Sequence, residues 1–354
     1  MEPNKRVLVA PLDWGLGHAT RCIPIIQELL NKNCTVFIAS SGRALYLLQK
    51  EFPDIKCFEI AGYNPVYPEG SAMVFKMALQ LPKFLNTIKN EHRQIEKIVH
   101  RNKIDVVISD NRYGAYSTKA YSVIITHQLN LIMPNWFKWM QVAVNKYNHY
   151  SINKFKQCWV PAPQQSFASK LTDAHSSDKI KHIGFLSRFK KQSAPILYDV
   201  CVICSGPDPQ RGIFERMLRA QLKETNLTYV IVKGKTESLN RYYKKSEREN
   251  LINFLNTEEL NMLIEQSSLI VSRSGYSTIM DLARLNKKAI FIPTPGQTEQ
   301  EFLAEQLKKD KIAYSIEQDN FELTEALEES KKYTGFNNPD YDNALLEKAI
   351  SSVL

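Results

Sequence analysis

Nowhere does this 354-residue sequence hold the roughly 20 uninterrupted apolar residues that a membrane-spanning helix needs, so no span is predicted. The opening MEPNKRVLVAPLD enters only a short apolar run before Asp13, which lacks the h-region of a secretory signal and reads as the first strand of a cytoplasmic protein. Low-complexity tracts and short repeats are absent. Cysteine is sparse and scattered: Cys22, Cys34, Cys57, Cys158, Cys201 and Cys204 lie mostly in apolar runs, which implies reduced core thiols and no disulfide framework. Cys201 and Cys204 form a CxxC, but it sits inside the strand-like YDVCVICSG without a second pair, so it reads as core packing and not as zinc or redox chemistry.

Acidic residues are missing altogether from Asn111 to Thr172, a stretch that carries Arg112, Lys119, Lys138, Lys146, Lys154, Lys156 and Lys170 beside Trp136, Phe137, Trp139 and Trp159. Residues 1–190 hold 25 Lys+Arg against 13 Asp+Glu, a net +12, whereas residues 191–354 hold 21 against 24, a net −3. The basicity of the chain therefore belongs to its first half, and such a surface favours an anionic partner: lipid headgroups, a phosphate-linked acceptor or nucleic acid. A solvated basic face over an aromatic core is the alternative.

Hydrophobic residues at 44% and charged residues at 23% are ordinary for a folded enzyme, and the length suits two domains. Short apolar runs alternate with helical patterns in both halves, the signature of βαβ units and parallel sheets. KRVLVAPL, CTVFIAS, IKCFEI, IDVVISD and SVIITH are strands of the first half. YDVCVICSG, TYVIVKG, LINFLN, SLIVSRSG and KAIFIP are strands of the second, with helices expected near 210–223, 257–266, 278–285 and 298–309. The expected fold is two Rossmann-like, doubly wound parallel-sheet domains facing across a cleft. The boundaries are 1–188 for the first domain and 189–335 for the second, with the polar join LSRFKKQSAPIL as hinge and a C-terminal helix in 336–354 packing back on the first domain.

Ligands of open α/β sheets sit beyond the carboxyl ends of the strands, where glycine turns admit phosphates and helix N-termini add positive potential. Three segments fit. In SRSGYSTIMDLARLNKKAIFIPTPGQTEQEFLAEQL (272–308), Ser274 and Gly275 close a strand, Tyr276, Ser277 and Thr278 open a helix, and Asp281 lies one turn in. Backbone amides and hydroxyls there suit a diphosphate and the acid suits ribose hydroxyls. Thr278-x-x-Asp281 also reads as a capping-box variant, worth about 1 kcal/mol of helix stability. In CSGPDPQRGIFERML (204–218), Ser205, Gly206 and Arg211 are candidates for the same phosphates, against a plain turn punctuated by Pro207 and Pro209. In PLDWGLGHATRCIPI (11–25), Gly15 and Gly17 permit a tight turn that delivers His18 to a helix N-terminus, with Arg21 one turn later. A helix N-terminus disfavours the imidazolium, so His18 reads as a neutral general base in the cleft, with Arg21 facing acceptor or donor phosphate. Asp13 and Asp110 are further candidates for the catalytic machinery, and Arg112, His127 and Gln128, at strand ends, for the acceptor. Turn formation is the plainer role for an Asp at such a place.

The second half resembles the C-terminal domain of glycosyltransferase family 28, whose pattern runs R-[SA]-G-x-x-T, an acid three residues on, a strand ending in Pro and a Gln-bearing helix start. The resemblance implies a GT-B glycosyltransferase. It implies that Ser274, Gly275, Ser277 and Thr278 surround the donor diphosphate, with Ser205, Gly206 and Arg211 as candidates for the same phosphates, and that Asp281 meets the ribose; Gly17, Arg273 and Tyr276 are expected in the same donor site. Leu255 falls where the family reads the base with main-chain atoms, and Gln300 faces the sugar with Glu301 beside it. The chain departs from the pattern in having Asp where the ribose acid is commonly Glu, and Glu301 where an amide is common. The first loop is similar to the G-x-G-H-A-x-R loop of family 28-like enzymes and of a UDP-sugar hydrolase.

The reading reached is inverting, metal-independent transfer of a hexose or N-acetylhexosamine from a UDP-sugar to a glycan or lipid-linked hydroxyl, with His18 as base. No cofactor is expected beyond the UDP-sugar substrate. The aromatic and basic MPNWFKWMQVAVNKY suggests peripheral contact with an anionic membrane. Nucleotide-sugar hydrolysis by the same His is the alternative. A non-catalytic nucleic-acid or anionic-surface binding protein is the second, and no nucleic-acid partner is expected because no such module is present. The sole DxD, Asp340-Tyr341-Asp342, follows Asn-Asn-Pro at a helix start, where acids stabilise the N-terminus, so no metal is expected there. The leaving diphosphate is instead expected to be neutralised by helix ends and by Arg211 or Arg273.

Overall fold

The computed structural model describes residues 4–65, 79–131, 133, 135–162, 178–235, 242–337 and 343–354. They divide into two compact α/β units: residues 4–65, 79–186 and 343–354 in the first, and 187–337 in the second.

The first unit is built on strands β1 (Arg6–Pro11), β2 (Thr35–Ser40), β3 (Lys56–Glu59), β4 (Val106–Asp110), β5 (Tyr121–Ile125), β6 (Gln157–Val160) and β7 (Ile180–His182). All pair in parallel in the order β3-β2-β1-β4-β5-β6-β7. Strands covered on both faces read as unbroken apolar runs, and Val7 to Ala10 of β1 are fully buried. Helices α1 (Gly17–Asn31), α2 (Gly42–Glu51), α3 (Leu81–Asn102) and α4 (Gln141–Ile152) supply the cover. On α1 the residues Cys22, Ile23, Ile25, Ile26 and Leu29 are buried, each large aliphatic contributing roughly 1.5–3 kcal/mol.

The second unit runs β8 (Tyr198–Ile203), α5 (Gln210–Lys223), β9 (Tyr229–Val232), β10 (Tyr242–Lys245), β11 (Glu249–Ile252), α6 (Thr257–Glu265), β12 (Ser267–Ser272), α7 (Tyr276–Leu285), β13 (Ala289–Phe291), α8 (Thr298–Lys309), β14 (Tyr314–Ser315) and α9 (Leu323–Ser330). Its sheet is ordered β10-β11-β9-β8-β12-β13-β14, parallel except for the edge strand β10. The last helix, α10 (Ala344–Ser351), belongs to the first unit and packs on α1.

Both sheets have the same plan. The chain winds outward one way from the first strand, returns to that strand's other edge and winds the opposite way. The reversal falls between β1 and β4 in the first unit and between β8 and β12 in the second. At such a point the loops leaving the two neighbouring strands diverge to opposite faces, and a crevice opens at their carboxyl ends. The six cysteines are free, and burial pushes the Cys201 thiol up to about 12, so the CxxC is core. No helix among the described residues is long and apolar enough to cross a membrane.

Candidate active site

At the reversal point of the first sheet, Pro11 and Asp110 are register partners on neighbouring strands. The turn that follows β1 includes Gly15 at φ +89°, which an L side chain rarely adopts, and α1 begins at Gly17, so His18 arrives beside the end of β4. Its Nδ1 lies 3.2 Å from Asp110 Oδ1. Arg21, one turn along α1, donates from Nε to Asp110 Oδ2 at 2.6 Å and from Nη2 to Oδ1, gripping both oxygens with its planar fork. Nη2 also stands 2.9 Å from His18 Nδ1, and Nη1 stands 3.1 Å from Nδ1 of His127, just past β5. The thiol of Cys22 donates to Asp110 Oδ2 at 3.6 Å.

Arg21 and Asp110 are buried, while His18 keeps 16% of its side chain exposed. Burial alone would push the Asp110 carboxyl up, but the attached Arg21 outweighs it and holds the group well below the usual carboxylate range. His18 moves down from its ordinary value through burial and the Arg21 cation, against the pull of Asp110. The imidazole is thus neutral near pH 7, partly open, and oriented by a carboxylate. Arg21 has a different place from the one its sequence position suggests. Its buried fork is spent on Asp110, His18 and His127, which withdraws it from acceptor or phosphate binding.

Arg112 is likewise taken up inside the first unit and not by an acceptor. Its Nε donates to the Pro11 carbonyl (2.8 Å), Nη1 to the Ala61 carbonyl (3.1 Å) and Glu91 Oε1 (2.5 Å), and Nη2 to Asp13 Oδ1 and Ser41 Oγ (both 3.1 Å). All five N–H groups are used, so Arg112 has none left for an acceptor. Asp13 is held by Arg112 and by the Tyr63 amide (3.1 Å), and it anchors the turn before α1. Glu91, fully buried, also accepts from the Tyr63 hydroxyl (3.0 Å) and the Gly114 amide (2.9 Å). Between the two clusters Asn111 takes φ +58°, a left-handed turn that Asn tolerates. Gln128 is half-buried, with its backbone N–H donating to Thr126 Oγ1.

At the reversal point of the second sheet, Ile203 pairs with Ser272, which brings the turns Cys204–Gly206 and Arg273–Gly275 side by side. Gly206 has φ +86°, and α5 and α7 follow with no acid in the first turn and no side-chain cap at Pro209 or Gly275. Two other helices of this unit carry side-chain caps. Asn256 and Glu259 form a full capping box on α6, and Gln297 caps α8 above Glu299 and Glu301. Uncapped N-termini at a reversal point are places for an anion. Because α7 starts at Tyr276, two residues before the expected start, Thr278 is inside the first turn and the capping-box variant with Asp281 does not form.

Ser205, Ser277 and Thr278 are half-buried around these turns, whereas Tyr276 is buried and can offer a ligand only its main chain. Arg211 donates to the Gly234 carbonyl at 2.8 Å and to Asp208. Arg273 is buried, stacks over Phe214 with 4.3 Å to the ring centre, and donates to the carbonyls of Ile292, Pro293 and Gln210 and to Gln318 Oε1. Burial pulls Arg273 down to about 10. Its four terminal bonds staple the ends of β12 and β13 together, which removes it from the phosphate contacts expected of it. Ser274 donates to the Gln300 carbonyl (2.8 Å), and the Gln300 and Glu301 side chains accept from Thr294 and Gly296 amides (2.9 and 2.8 Å). Leu255 is half-buried in the turn after β11.

Asp281 accepts the hydroxyl of Ser187 at 2.6 Å, and burial pushes its carboxyl up to about 6 despite Arg188 nearby. Sequence reasoning missed Ser187, Glu91 and Tyr63, which stand in no recognisable motif, and Gln297, which lies within the 272–308 segment beside the expected Gln300. The Asp340-Tyr341-Asp342 motif lies outside the described residues. Among the described residues no group of three or more His, Cys, Asp or Glu could hold a metal ion.

Residues 211–350 match the glycosyltransferase family 28 C-terminal domain, and residues 6–156 match the glycosyl transferase family 1 model. The chain is a family 28-like glycosyltransferase of the GT-B fold. Among its relatives is a glycosyltransferase of Methanosarcina acetivorans, 24% identical over 330 residues that cover 84% of this chain and 81% of the relative. The glycotransferase of kitacinnamycin shares the fold at a TM-score of 0.63 and 16% identity, covering 100% of this chain and 94% of the other. MurG of Acinetobacter baumannii shares it at 0.55 and 14%, covering 99% and 100%. Each matched domain of this glycosyltransferase thus carries a reversal point: the first with His18 and Asp110, the second with the Gly206 and Gly275 turns.

Proposed function

We propose that this glycosyltransferase moves a hexose or N-acetylhexosamine from a UDP-sugar to a hydroxyl of a glycan or lipid-linked acceptor, with inversion and without a metal ion. The observation that carries the reading is the contact of His18 Nδ1 with the Asp110 carboxylate at 3.2 Å, on a partly exposed ring at the helix N-terminus. With Nδ1–H directed at Asp110, the Nε2 lone pair takes the acceptor proton as the acceptor oxygen bonds to the anomeric carbon. The bond from that carbon to the diphosphate oxygen breaks, and its electrons leave with UDP. The second unit holds the donor. Amides of the Gly206 and Gly275 turns and the N-termini of α5 and α7 take the diphosphate, Asp281 the ribose and Gln300 with Glu301 the sugar.

The acceptor belongs to the first unit, with Gln128 at its edge. Peripheral contact with an anionic membrane is supported by Trp139 at 77% exposure, Val142 and Tyr150 on and beside α4, and the lysines around them. NMR of UDP-sugars incubated with and without a glycan or lipid-linked acceptor tests the reading. A new glycoside of inverted anomeric configuration, formed only with acceptor, is expected. Free sugar released at the same rate without acceptor would mean that water is the natural acceptor.

A further inference from the structure

The buried guanidinium between the two histidines is not used by the mechanism above. We propose that Arg21 is a positioning residue for the general base: it locks Asp110 in the orientation His18 needs and stands as a fixed positive charge against the imidazole. This rests on His18 being the base and deepens that reading.

The geometry restricts what each group can do. Arg21 bonds both oxygens of Asp110, so the carboxylate cannot rotate, and the lone pair left toward the ring is on Oδ1, 3.2 Å from Nδ1. Nη2 of Arg21 is only 2.9 Å from the same Nδ1, and one of its two N–H groups is already committed to Asp110. Nδ1 therefore lies between a pure donor and a pure acceptor. If Asp110 takes the bond, the ring proton sits on Nδ1 and Nε2 is a base. If Arg21 takes it, the proton sits on Nε2 and the ring cannot accept from a substrate.

The charged and titratable groups facing His18 are Arg21 from α1, Asp110 from β4 and His127 from the turn after β5. After proton transfer the imidazolium keeps its Nδ1–H on Asp110, while the adjacent guanidinium opposes its charge and favours handing the proton on to solvent. Arg21 thus gives a weaker base that stays neutral at lower pH and resets readily. The bond from Nη1 to Nδ1 of His127 fixes the guanidinium from its other end.

The test is NMR titration of the imidazoles in the full-length chain labelled with 15N-histidine, with His18→Ala and His127→Ala identifying the signals. The wild-type His18 midpoint is expected below the ordinary 6.5. Arg21→Gln should raise it by about one pH unit or more, since the carboxylate then acts unopposed, and Asp110→Asn should lower it further. Arg21→Lys, which retains the charge, should keep the midpoint low while the ring proton redistributes between Nδ1 and Nε2. A purely structural Arg21 would instead move both neutralising variants the same way, toward 6.5, and that outcome overturns the proposal. A wild-type midpoint at or above 6.5 overturns it even if Arg21→Gln fails to fold. If the titrations follow the pattern but His18→Ala retains turnover, it is the general-base reading that has failed.

Discussion

Arg21 and Asp110, 89 residues apart in sequence, form a buried ion pair in which the guanidinium takes both carboxylate oxygens. Removing one partner leaves an uncompensated charge in the interior, which typically costs about 3–5 kcal/mol. Arg21→Leu and Asp110→Leu are each expected to lower the unfolding free energy by that amount in a urea titration. The double variant should lose clearly less than the sum, and strict additivity would show that the two charges do not act as a pair.

Gly275 offers a test of the diphosphate site that is free of strain. Its φ is −72°, and a Cβ there would meet only Thr278 Oγ1 at 3.9 Å. Gly275→Ala should therefore fold with an unchanged melting temperature. The added methyl would stand where the backbone must approach phosphate, so UDP binding by calorimetry should weaken about tenfold or more, the equivalent of one lost charge-assisted hydrogen bond. Full UDP affinity in a normally stable Gly275→Ala variant would place the diphosphate elsewhere. Gly114 is the contrast: a Cβ there lies 2.4 Å from the Ile88 carbonyl, so Gly114→Ala should lose stability and leave UDP binding intact.

Asp281 has a carboxyl pushed up to about 6 from 3.8, so the folded state holds its proton more tightly than the unfolded chain. Stability from this group is greatest below 3.8 and is lost as pH rises through that window to about 6. Asp281→Asn should remove the dependence, gaining melting temperature over wild type at pH 7 more than at pH 4, while binding UDP less tightly. Equal shifts at both pH values would mean that the carboxyl is not perturbed by folding.

The exposed Trp139 leads to a prediction about location. Flotation with phosphatidylcholine vesicles should recover the protein only when anionic phosphatidylglycerol is added, and Trp139→Ala should reduce recovery. Equal recovery with either lipid would contradict the basic surface as the cause.

The elements that local pattern specifies were legible in the sequence. The helices over 210–223 and 298–309 have the expected bounds, because apolar spacing and flanking turn residues agree. The 22-residue helix α3 was not anticipated. Its buried face runs Phe84, Thr87, Glu91, Ile95, Val99, and two polar residues interrupt the apolar period where Lys83 and Arg112 supply their partners. The site was legible to the extent that a turn announces itself: His18, Gly206 and Gly275 stand out locally. Arginines were misread for the opposite reason. Arg21 follows a glycine turn in the first turns of α1, and Arg112 and Arg273 follow strand ends, all like ligand-binding residues, but their acceptors are carboxylates and carbonyls contributed from 19 to 101 residues away, which only the fold brings within reach.

In the proposed mechanism His18 removes the acceptor proton while the second unit binds the nucleotide independently. The most direct measurement pairs turnover with UDP affinity in His18→Ala. A fall in kcat of about 10²–10⁴ is expected, with UDP affinity within about twofold of wild type. Retained turnover, or equal loss of both, would contradict it.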